Sequence, residues 1–374
     1  MALRLLHTAD LHLGMKFAGR YPPEVRERLV QARFETLGGL VETANAAGAD
    51  LFLIAGDLFH DQNVALRDIR AAAQALDRFL GRAVLVLPGN HDFLQEGKCP
   101  LWDRFQEYAG DRVVLLSEPR PYPLADYDLP VVIYPGPCTA KHSSENAIGW
   151  IRQRAKDLEG WHIGVAHGSL EGTSPDFQGN YYPMTRKELE RTGLDLWLLG
   201  HTHLRVPDLD QGRDSRILIP ATPEPDGFDC RHPGHAWLIE LQADGSLFYR
   251  SLVTGRHCFS VQEAEVSSED DLNLLRARFQ RFNPECDLVK LFLRGYLPGE
   301  LYDRRGTLLE ELRRQVLYLE PDFTALYRRI GAEDIDREFT EGSFPHRLLT
   351  RLAQAAGDPR ALQLAYELIQ EVRA

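Results

Sequence analysis

An α/β layered fold is predicted for the first two-thirds of this chain of 374 residues. Two observations carry the prediction. Strand-like and helix-like periodicities alternate from the N-terminus onward, and several apolar runs pass straight into tight, glycine-bearing turns. Leu3–Leu6 reads as the first strand. Pro22-Pro23-Glu24 opens a helix, since proline is tolerated in a first turn; its apolar positions are Val25, Leu29, Ala32, Leu37 and Leu40, and it closes near Gly48. Leu51–Ala55 is a buried strand, Leu66–Leu80 an amphipathic helix ending at Gly81, Ala83–Leu87 a strand, and Trp102–Tyr108 a short helix. Further strands fall at Val131–Tyr134, Ile163–Ala166 and Leu196–Leu199. Ile217–Ile219, Ala236–Leu241 and Leu247–Leu252 read as antiparallel, with Asp244-Gly245 as a hairpin turn.

The pattern changes near Thr254-Gly255. Phe259–Val266 reads as a strand, Ser267-Ser268-Glu269-Asp270 as an N-cap run opening a helix to Phe282, and Asp287–Leu293 as a strand. From Gly306 onward helices are expected at Leu308–Leu319, Phe323–Ile330, Pro345–Ala355 and Pro359–Val372. This divides the chain into a domain over 1–255, a small β-α-β domain over 256–335, and a C-terminal helical segment over 336–374.

Composition bounds the function. Hydrophobic residues make up 44%, enough for a sizeable core. No apolar run approaches the roughly 20 residues of a membrane helix, and no signal-peptide pattern precedes the first strand. Cys99, Cys138, Cys230, Cys258 and Cys286 are scattered without a CxxC pair, which argues against a disulfide framework or zinc-thiolate site and fits a reducing cytoplasm. A net charge of −12 argues against a globally basic nucleic-acid grip, though a local cationic patch can do that work. The pairs Arg304-Arg305, Arg313-Arg314 and Arg328-Arg329 are candidates for such a patch, or simply solvated helix faces.

The chemistry is concentrated in five segments: LRLLHTADLHLG, LFLIAGDLFH, VLVLPGNHD, IGVAHG and LWLLGHTH. In each, an apolar strand runs into a polar turn, and ligands gather at the carboxyl ends of strands in α/β sheets. If these strands share one sheet, the turns converge. They offer Asp10, His12, Asp57, His60, Asn90, His91, Asp92, His167, His201 and His203. These oxygen and imidazole donors suit Mn, Fe or Zn. Asp10-x-His12 and His201-x-His203 place two side chains on the same side of an extended segment. Glycines at positions 14, 56, 89, 168 and 200 permit the sharp turns. One such turn is a weak signal, whereas all of them in this order are a strong one. Six of the thirteen histidines lie in these turns; His7, His142, His162, His232, His235, His257 and His346 read as ordinary surface or core residues.

In this order, D-x-H, GD, GNHD, H and GHxH resemble the motifs of calcineurin-like metallophosphoesterases. The finer forms TADLHLG and GDLFH resemble the nuclease subunit of the bacterial SbcCD complex, YhaO-type exonucleases, and archaeal and eukaryotic break-repair nucleases. The motif-bearing resemblance covers about residues 3–255, and a weaker one places the β-α-β piece where that family has a DNA-capping domain. The resemblance implies a four-layer αββα sandwich with an α+β capping domain and C-terminal helices. It implies one divalent ion held by Asp10, His12, Asp57 and His203, and a second held by Asp57, Asn90, His167 and His201, with Asp57 bridging. Manganese is the expected metal, with iron or zinc as alternatives. His91 is expected at the scissile phosphate, with His60 as the second histidine near substrate. Two such ions roughly 3.5–4 Å apart can clamp the attacking and leaving oxygens of an in-line displacement.

The implied activity is DNA exonuclease or endonuclease cleavage in repair. No GxxxxGK[ST] phosphate loop occurs, so an ATP-driven step requires a partner. The resemblance supplies one, an SbcC-like coiled-coil ATPase docking on the C-terminal helices through Leu348, Leu349, Leu352, Leu362, Leu364, Leu368 and Ile369. It also implies a homodimer formed through Leu66–Leu80 and Trp102–Tyr108. Two other readings stay open: a phosphoesterase acting on a nucleotide or other small phosphoester, and a non-catalytic scaffold. The complete donor set speaks against the scaffold.

Overall fold

The computed structural model describes residues 2–95, 97, 99–153, 155, 157–173, 176, 178–354 and 359–373. The chain forms two compact units, Met1–Cys258 and Phe259–Ala374.

The strands of the first unit are β1 (Leu3–Thr8), β2 (Leu51–Ala55), β3 (Ala83–Leu87), β4 (Val113–Leu115), β5 (Tyr122–Pro123), β6 (Val131–Gly136), β7 (Trp161–His167), β8 (Leu196–Gly200), β9 (Arg205–Val206), β10 (Gln211–Arg213), β11 (Ile217–Pro220), β12 (His235–Leu241) and β13 (Leu247–Val253). Its helices are α1 (Pro23–Ala46), α2 (Leu66–Asp77), α3 (Pro100–Tyr108) and α4 (Arg186–Arg191). One sheet has the order β10-β13-β12-β1-β2-β3-β4, the other β5-β6-β7-β8-β11-β9. The five motif-bearing strands therefore do not share a sheet: β1, β2 and β3 run parallel in one, β7 and β8 parallel in the other.

The apolar pattern explains the layering. β2 and β3 are buried at every position, as strands covered on both faces must be. Leu6, Phe52, Ile54, Val84 and Val86 pack outward against α1, α2 and α3. Leu5, Leu53 and Leu85 pack inward against Ile163, Val165, Leu196 and Leu198 of the second sheet. Val132, Tyr134, Trp197 and Leu199 meet Ile148, Ile151 and Leu189 on the far side. Helices thus flank two face-to-face sheets in an αββα sandwich. Fully burying each large aliphatic side chain contributes about 1.5–3 kcal/mol.

The expectation for Ile217–Ile219 needs correcting. β11 pairs parallel with β8 and antiparallel with the two-residue β9, while only β12 and β13 form the antiparallel hairpin pair.

The second unit carries β14 (Cys258–Val266, all but its first residue), α5 (Glu269–Phe279), β15 (Asp287–Leu297), α6 (Gly299–Asp303), α7 (Arg305–Arg313), β16 (Tyr318–Arg328), α8 (Ala332–Glu338), α9 (Phe344–Gln354) and α10 (Pro359–Arg373). Ser268 caps α5: its hydroxyl accepts from the Asp271 amide while the Asp271 carboxylate accepts from the Ser268 amide. The helices expected over Leu308–Leu319 and Phe323–Ile330 give way to α7 and the strand β16. Pro321 bars a helix interior here but is tolerated on a sheet edge, and β16 is an edge strand in the order β14-β15-β16. It pairs parallel with β15 from Leu288↔Tyr318 to Leu297↔Arg328.

At the C-terminus, Ile335, Phe339 and Leu349 bury against Leu362, Ala365, Tyr366 and Ile369. Leu349, Leu362 and Ile369 therefore pack on their own protein, whereas Leu364 and Leu368 of α10 remain 59% and 53% exposed. Ala355, the expected end of α9, lies outside the described residues. Cys99, Cys138 and Cys230 are free thiols, and among the described residues no helix is long and apolar enough to cross a membrane.

Candidate metal centre

The sandwich brings the five turns together where the two sheets meet. Asp10 and His12 follow β1, Asp57 and His60 follow β2, and Asn90 and His91 follow β3; His167 ends β7, and His201 and His203 follow β8. The first two turns are laced by backbone: the Asp10 amide donates to the Gly56 carbonyl at 3.1 Å and the His12 amide to the Asp57 carbonyl at 2.9 Å. The other sheet joins through the His201 amide, which donates to Asp10 Oδ2 at 3.0 Å.

The backbone is strained at this point. Asp10, His12, Asp57 and His201 all have positive φ, at 55°, 48°, 54° and 91°. Such conformations cost about 1–3 kcal/mol each in non-glycine residues and cluster at functional sites. Gly56 (φ +93°) shows how tightly the sheets approach, since a Cβ there would lie 2.1 Å from His167 Nδ1.

Asp10, Asp57, Asn90 and His167 are at most 1% exposed and His12 4%, while His203, with a side chain 34% exposed, stands at the mouth. Asp57 Oδ2 lies 3.7 Å from His12 Nε2 and 3.3 Å from His167 Nε2, so one carboxylate faces both histidines. Asp10 Oδ1 lies 3.7 Å from His203 Nε2 and 4.0 Å from His167 Nε2. Asn90 Oδ1 sits 3.0 Å from His167 Nε2 and 3.1 Å from His201 Nδ1. Every residue expected to hold a metal is therefore in one cluster, buried at all of them but His201 and His203. Donor atoms of Asp10, His12 and His203 lie within 4.8 Å of one another, as do those of Asp10, Asp57 and His167.

These donors fit divalent ions. Asp10 Oδ1 is buried with no hydrogen-bond partner, an expensive state for a carboxylate oxygen unless a cation meets it. Three of these Asp–His gaps, at 3.7, 3.7 and 4.0 Å, are too long for hydrogen bonds, but ligands about 2.0–2.2 Å from a shared ion stand at about this spacing. His167 Nδ1 donates to the Ala55 carbonyl at 2.8 Å, which leaves Nε2 turned towards Asn90 and Asp57. That is the usual tautomer lock of a metal-binding imidazole.

Charge follows geometry. Burial lowers the affinity of His167 for a proton, but the Asp57 carboxylate beside it wins and pushes its pKa up to about 9. His203, likewise depressed by burial and raised by Asp10, reaches about 9. His201 falls to about 4 through burial and the charge of His167, and burial holds His12 well below its ordinary value. Asp57 is held far down: burial would raise it, but His167 outweighs that. Two protonated histidines thus balance two carboxylates, and metal uptake has to displace those protons.

His60 and His91 form the outer edge, their rings stacked at 5.3 Å, with His12 4.9 Å from His91. The His91 amide donates to Asp57 Oδ1 at 2.9 Å, and its ring Nδ1 donates to the His60 carbonyl at 2.8 Å, a bond that leaves Nε2 uninvolved. Asp92 is a brace, its oxygens accepting from the amides of Gly89 at 2.6 Å and Phe59 at 2.9 Å. Burial and the neighbouring Asp57 push its pKa up to about 8.

Residues away from the motifs also matter. Arg33, 1% exposed in α1, donates from Nη1 to the Leu11 carbonyl at 2.7 Å, between Asp10 and His12. Asp226 lies 3.7 Å from His203 Nδ1. Neither carries a motif; the only sequence signal was a charged residue among the apolar positions of α1. His235 and His257 are internal, bonded to Ser251 and Glu224. Among the arginine pairs, Arg305 covers Tyr302, Arg313 pairs with Glu310, and Arg328 with Asp334. A groove of about 1040 Å³ between α1 and α2 instead gathers Lys16, Arg26, Arg67 and Arg104 against Glu27 and Asp68, reaching Gly14 just beyond His12.

The chain matches the family described as Calcineurin-like phosphoesterase over residues 3–205. It is 29% identical over 345 residues to the uncharacterized metallophosphoesterase YhaO of Bacillus subtilis (strain 168), covering 84% of this chain and 78% of that protein. It is 26% identical over 398 residues to the DNA double-strand break repair protein Mre11 of Methanopyrus kandleri, covering 99% and 83%. The Mre11 protein of Haloferax volcanii is 26% identical over 295 residues, covering 78% of this chain and 61% of its own length.

Proposed function

We propose that this chain, a metal-dependent hydrolase that belongs to the calcineurin-like phosphoesterase family, cuts the phosphodiester backbone of DNA as a manganese-dependent repair nuclease. The observation that carries this reading is the convergence of Asp10, His12, Asp57, Asn90, His167, His201 and His203 from two sheets on one point, with all but the last two buried. The similarity to repair proteins along most of the chain supports DNA as substrate, and the cationic groove beside His12 offers phosphate contacts on an otherwise acidic protein.

Asp10, His12, Asp57 and His203 would hold one ion, and Asp57, Asn90, His167 and His201 the other. Bound divalent ions supply Lewis acidity to the phosphoryl oxygens and make water acidic enough to act near neutral pH. The chain's own residues do the rest. Asp57 spans both positions and, through Oδ1, fixes the His91 backbone. With Nδ1–H held by the His60 carbonyl, His91 presents Nε2 to the scissile phosphate; as the imidazolium, it gives its Nε2 proton to the leaving oxygen and is left as the neutral Nδ1–H tautomer. His60 stacks on His91 and limits its rotation. The second unit through residue 335 would cap the DNA. The exposed Leu364 and Leu368 would receive an SbcC-like coiled-coil ATPase, and α2 with α3 would form a homodimer contact.

The test is cleavage by the purified chain with manganese on single-stranded DNA, duplex DNA and a small phosphodiester, beside the His91→Asn variant. We expect DNA cleavage by the parent, and a variant that binds metal but does not cut. Hydrolysis of the small diester alone, or full cutting by the variant, would overturn the substrate or the role of His91 respectively.

A further inference from the structure

His203 stands between two carboxylates. Asp10 Oδ1 faces its Nε2 at 3.7 Å, and Asp226 Oδ2 faces its Nδ1 at 3.7 Å. The same Asp226 oxygen lies 3.8 Å from Arg33 Nη2. Arg33 is almost completely buried in α1, beneath the Phe17 ring at 5.4 Å, and its Nε and Nη2 have no hydrogen-bond partner. A guanidinium is kept in such a place only against an opposing charge, because an unpaired buried cation is strongly destabilising. Its one buried hydrogen bond goes to the Leu11 carbonyl, the residue between Asp10 and His12. Backbone fixes His203 from the other side: the Gly234 amide donates to His232 Nδ1, so His232 Nε2 is the donor to the His203 carbonyl at 3.1 Å.

We propose that Asp226, itself held by Arg33, is a positioning residue for His203. Its carboxylate faces Nδ1 at 3.7 Å, beyond hydrogen-bond length but close enough for its charge to favour the tautomer protonated there, whose Nε2 lone pair would face Asp10 and an ion held with it. A carboxylate behind a metal-binding imidazole makes the ring a better donor and locks its rotation. Arg33 joins the two ends of the device, bracing the Asp10–His12 turn with one nitrogen and Asp226 with another. His203 needs this more than His167 does. His167 is enclosed and tied to the Ala55 carbonyl, while His203 stands at the open edge with its side chain 34% exposed.

The inference rests on the metal-centre reading, and its test separates the two. Manganese is titrated into the metal-free full chain, with bound and free Mn2+ followed by electron paramagnetic resonance, for the parent, Asp226→Asn and Asp226→Glu. We expect two ions on the parent. In Asp226→Asn, one of the two should weaken by about 10–100-fold, with the other and the thermal melting curve unchanged. Asp226→Glu should recover most of the loss, which a merely structural role for the residue would not produce. Parent-like binding of both ions by Asp226→Asn overturns the role of Asp226 and leaves the metal centre standing. Equal loss of both ions together with a lowered melting temperature also overturns it, because Asp226 would then be holding the fold. A parent that binds no manganese removes the metal centre itself, and this inference with it.

Discussion

Acid sensitivity of the first unit can be worked out from one side chain. His7 lies on β1 with the same parity as Leu5 and Ala9, which line the core between the sheets, and it is 0% exposed. Burial depresses its pKa from 6.5 to about 3, despite the opposing pull of the Asp10 charge. Above pH 6.5 the ring is neutral in folded and unfolded chains alike and has no pH-dependent effect. Below that, the unfolded chain takes up a proton while the folded chain resists until about pH 3, so stability is lost as pH falls through this window. At pH 5 the unfolded ring is about 1.5 pH units below its pKa, which amounts to about 2 kcal/mol against a typical domain stability of about 5–15 kcal/mol. The perturbation is His7→Leu. All five tryptophans lie in the first unit, so their fluorescence in urea titrations reports on that unit alone. With chelator present, the stability of the variant relative to the parent should rise by about 2 kcal/mol between pH 7.5 and pH 5. The other histidines titrate equally in both proteins and cancel. A relative stability that stays constant within about 0.5 kcal/mol would refute the reasoning, whatever the variant does to stability at pH 7.5.

Two further perturbations test the architecture. Gly56→Ala drives a methyl to 2.1 Å from His167 Nδ1 at a φ of +93°, so it should cost at least about 1–3 kcal/mol and weaken manganese binding; a variant with the parent's melting temperature and two bound ions would contradict the close approach of the sheets. Replacing Leu364 and Leu368 together by Asp should shift stability by no more than about 0.5 kcal/mol per site, since both are exposed, while abolishing co-purification with a coiled-coil ATPase. Undiminished co-purification would remove α10 from the docking surface.

That the candidate donors come together was readable because all but His167, the last residue of β7, sit in a turn directly after a buried strand, and periodicity places such turns at strand ends. The division of those strands between two sheets was not readable: LFLIA and IGVAH are equally apolar, and local pattern says nothing about which neighbour a strand pairs with. β16 is hidden in the sequence because Leu308–Leu319 keeps a helical rhythm past Arg313, and Pro321 alone marks the end of that possibility. Asp226 and Arg33 were invisible for a different reason. Each is a single charged residue whose meaning depends on a neighbour far away in the chain, Arg33 in α1 and Asp226 beyond β11. The left-handed backbone at Asp10, His12, Asp57 and His201 was equally hidden, since none is glycine and the conformation is imposed by the lacing of the turns to each other.

Because some donors hang from one sheet and the rest from its partner, the hydrocarbon sandwiched between them acts as a caliper. Leu5, Leu53 and Leu85 on one jaw and Val165 and Leu198 on the other set how far apart the two halves of the cluster stand. Trimming any of those side chains, none of which carries a polar atom, would reach the chemistry as a change in spacing. The tolerance of this enzyme to drift in its interior is therefore governed by the geometry its cations demand as well as by folding free energy.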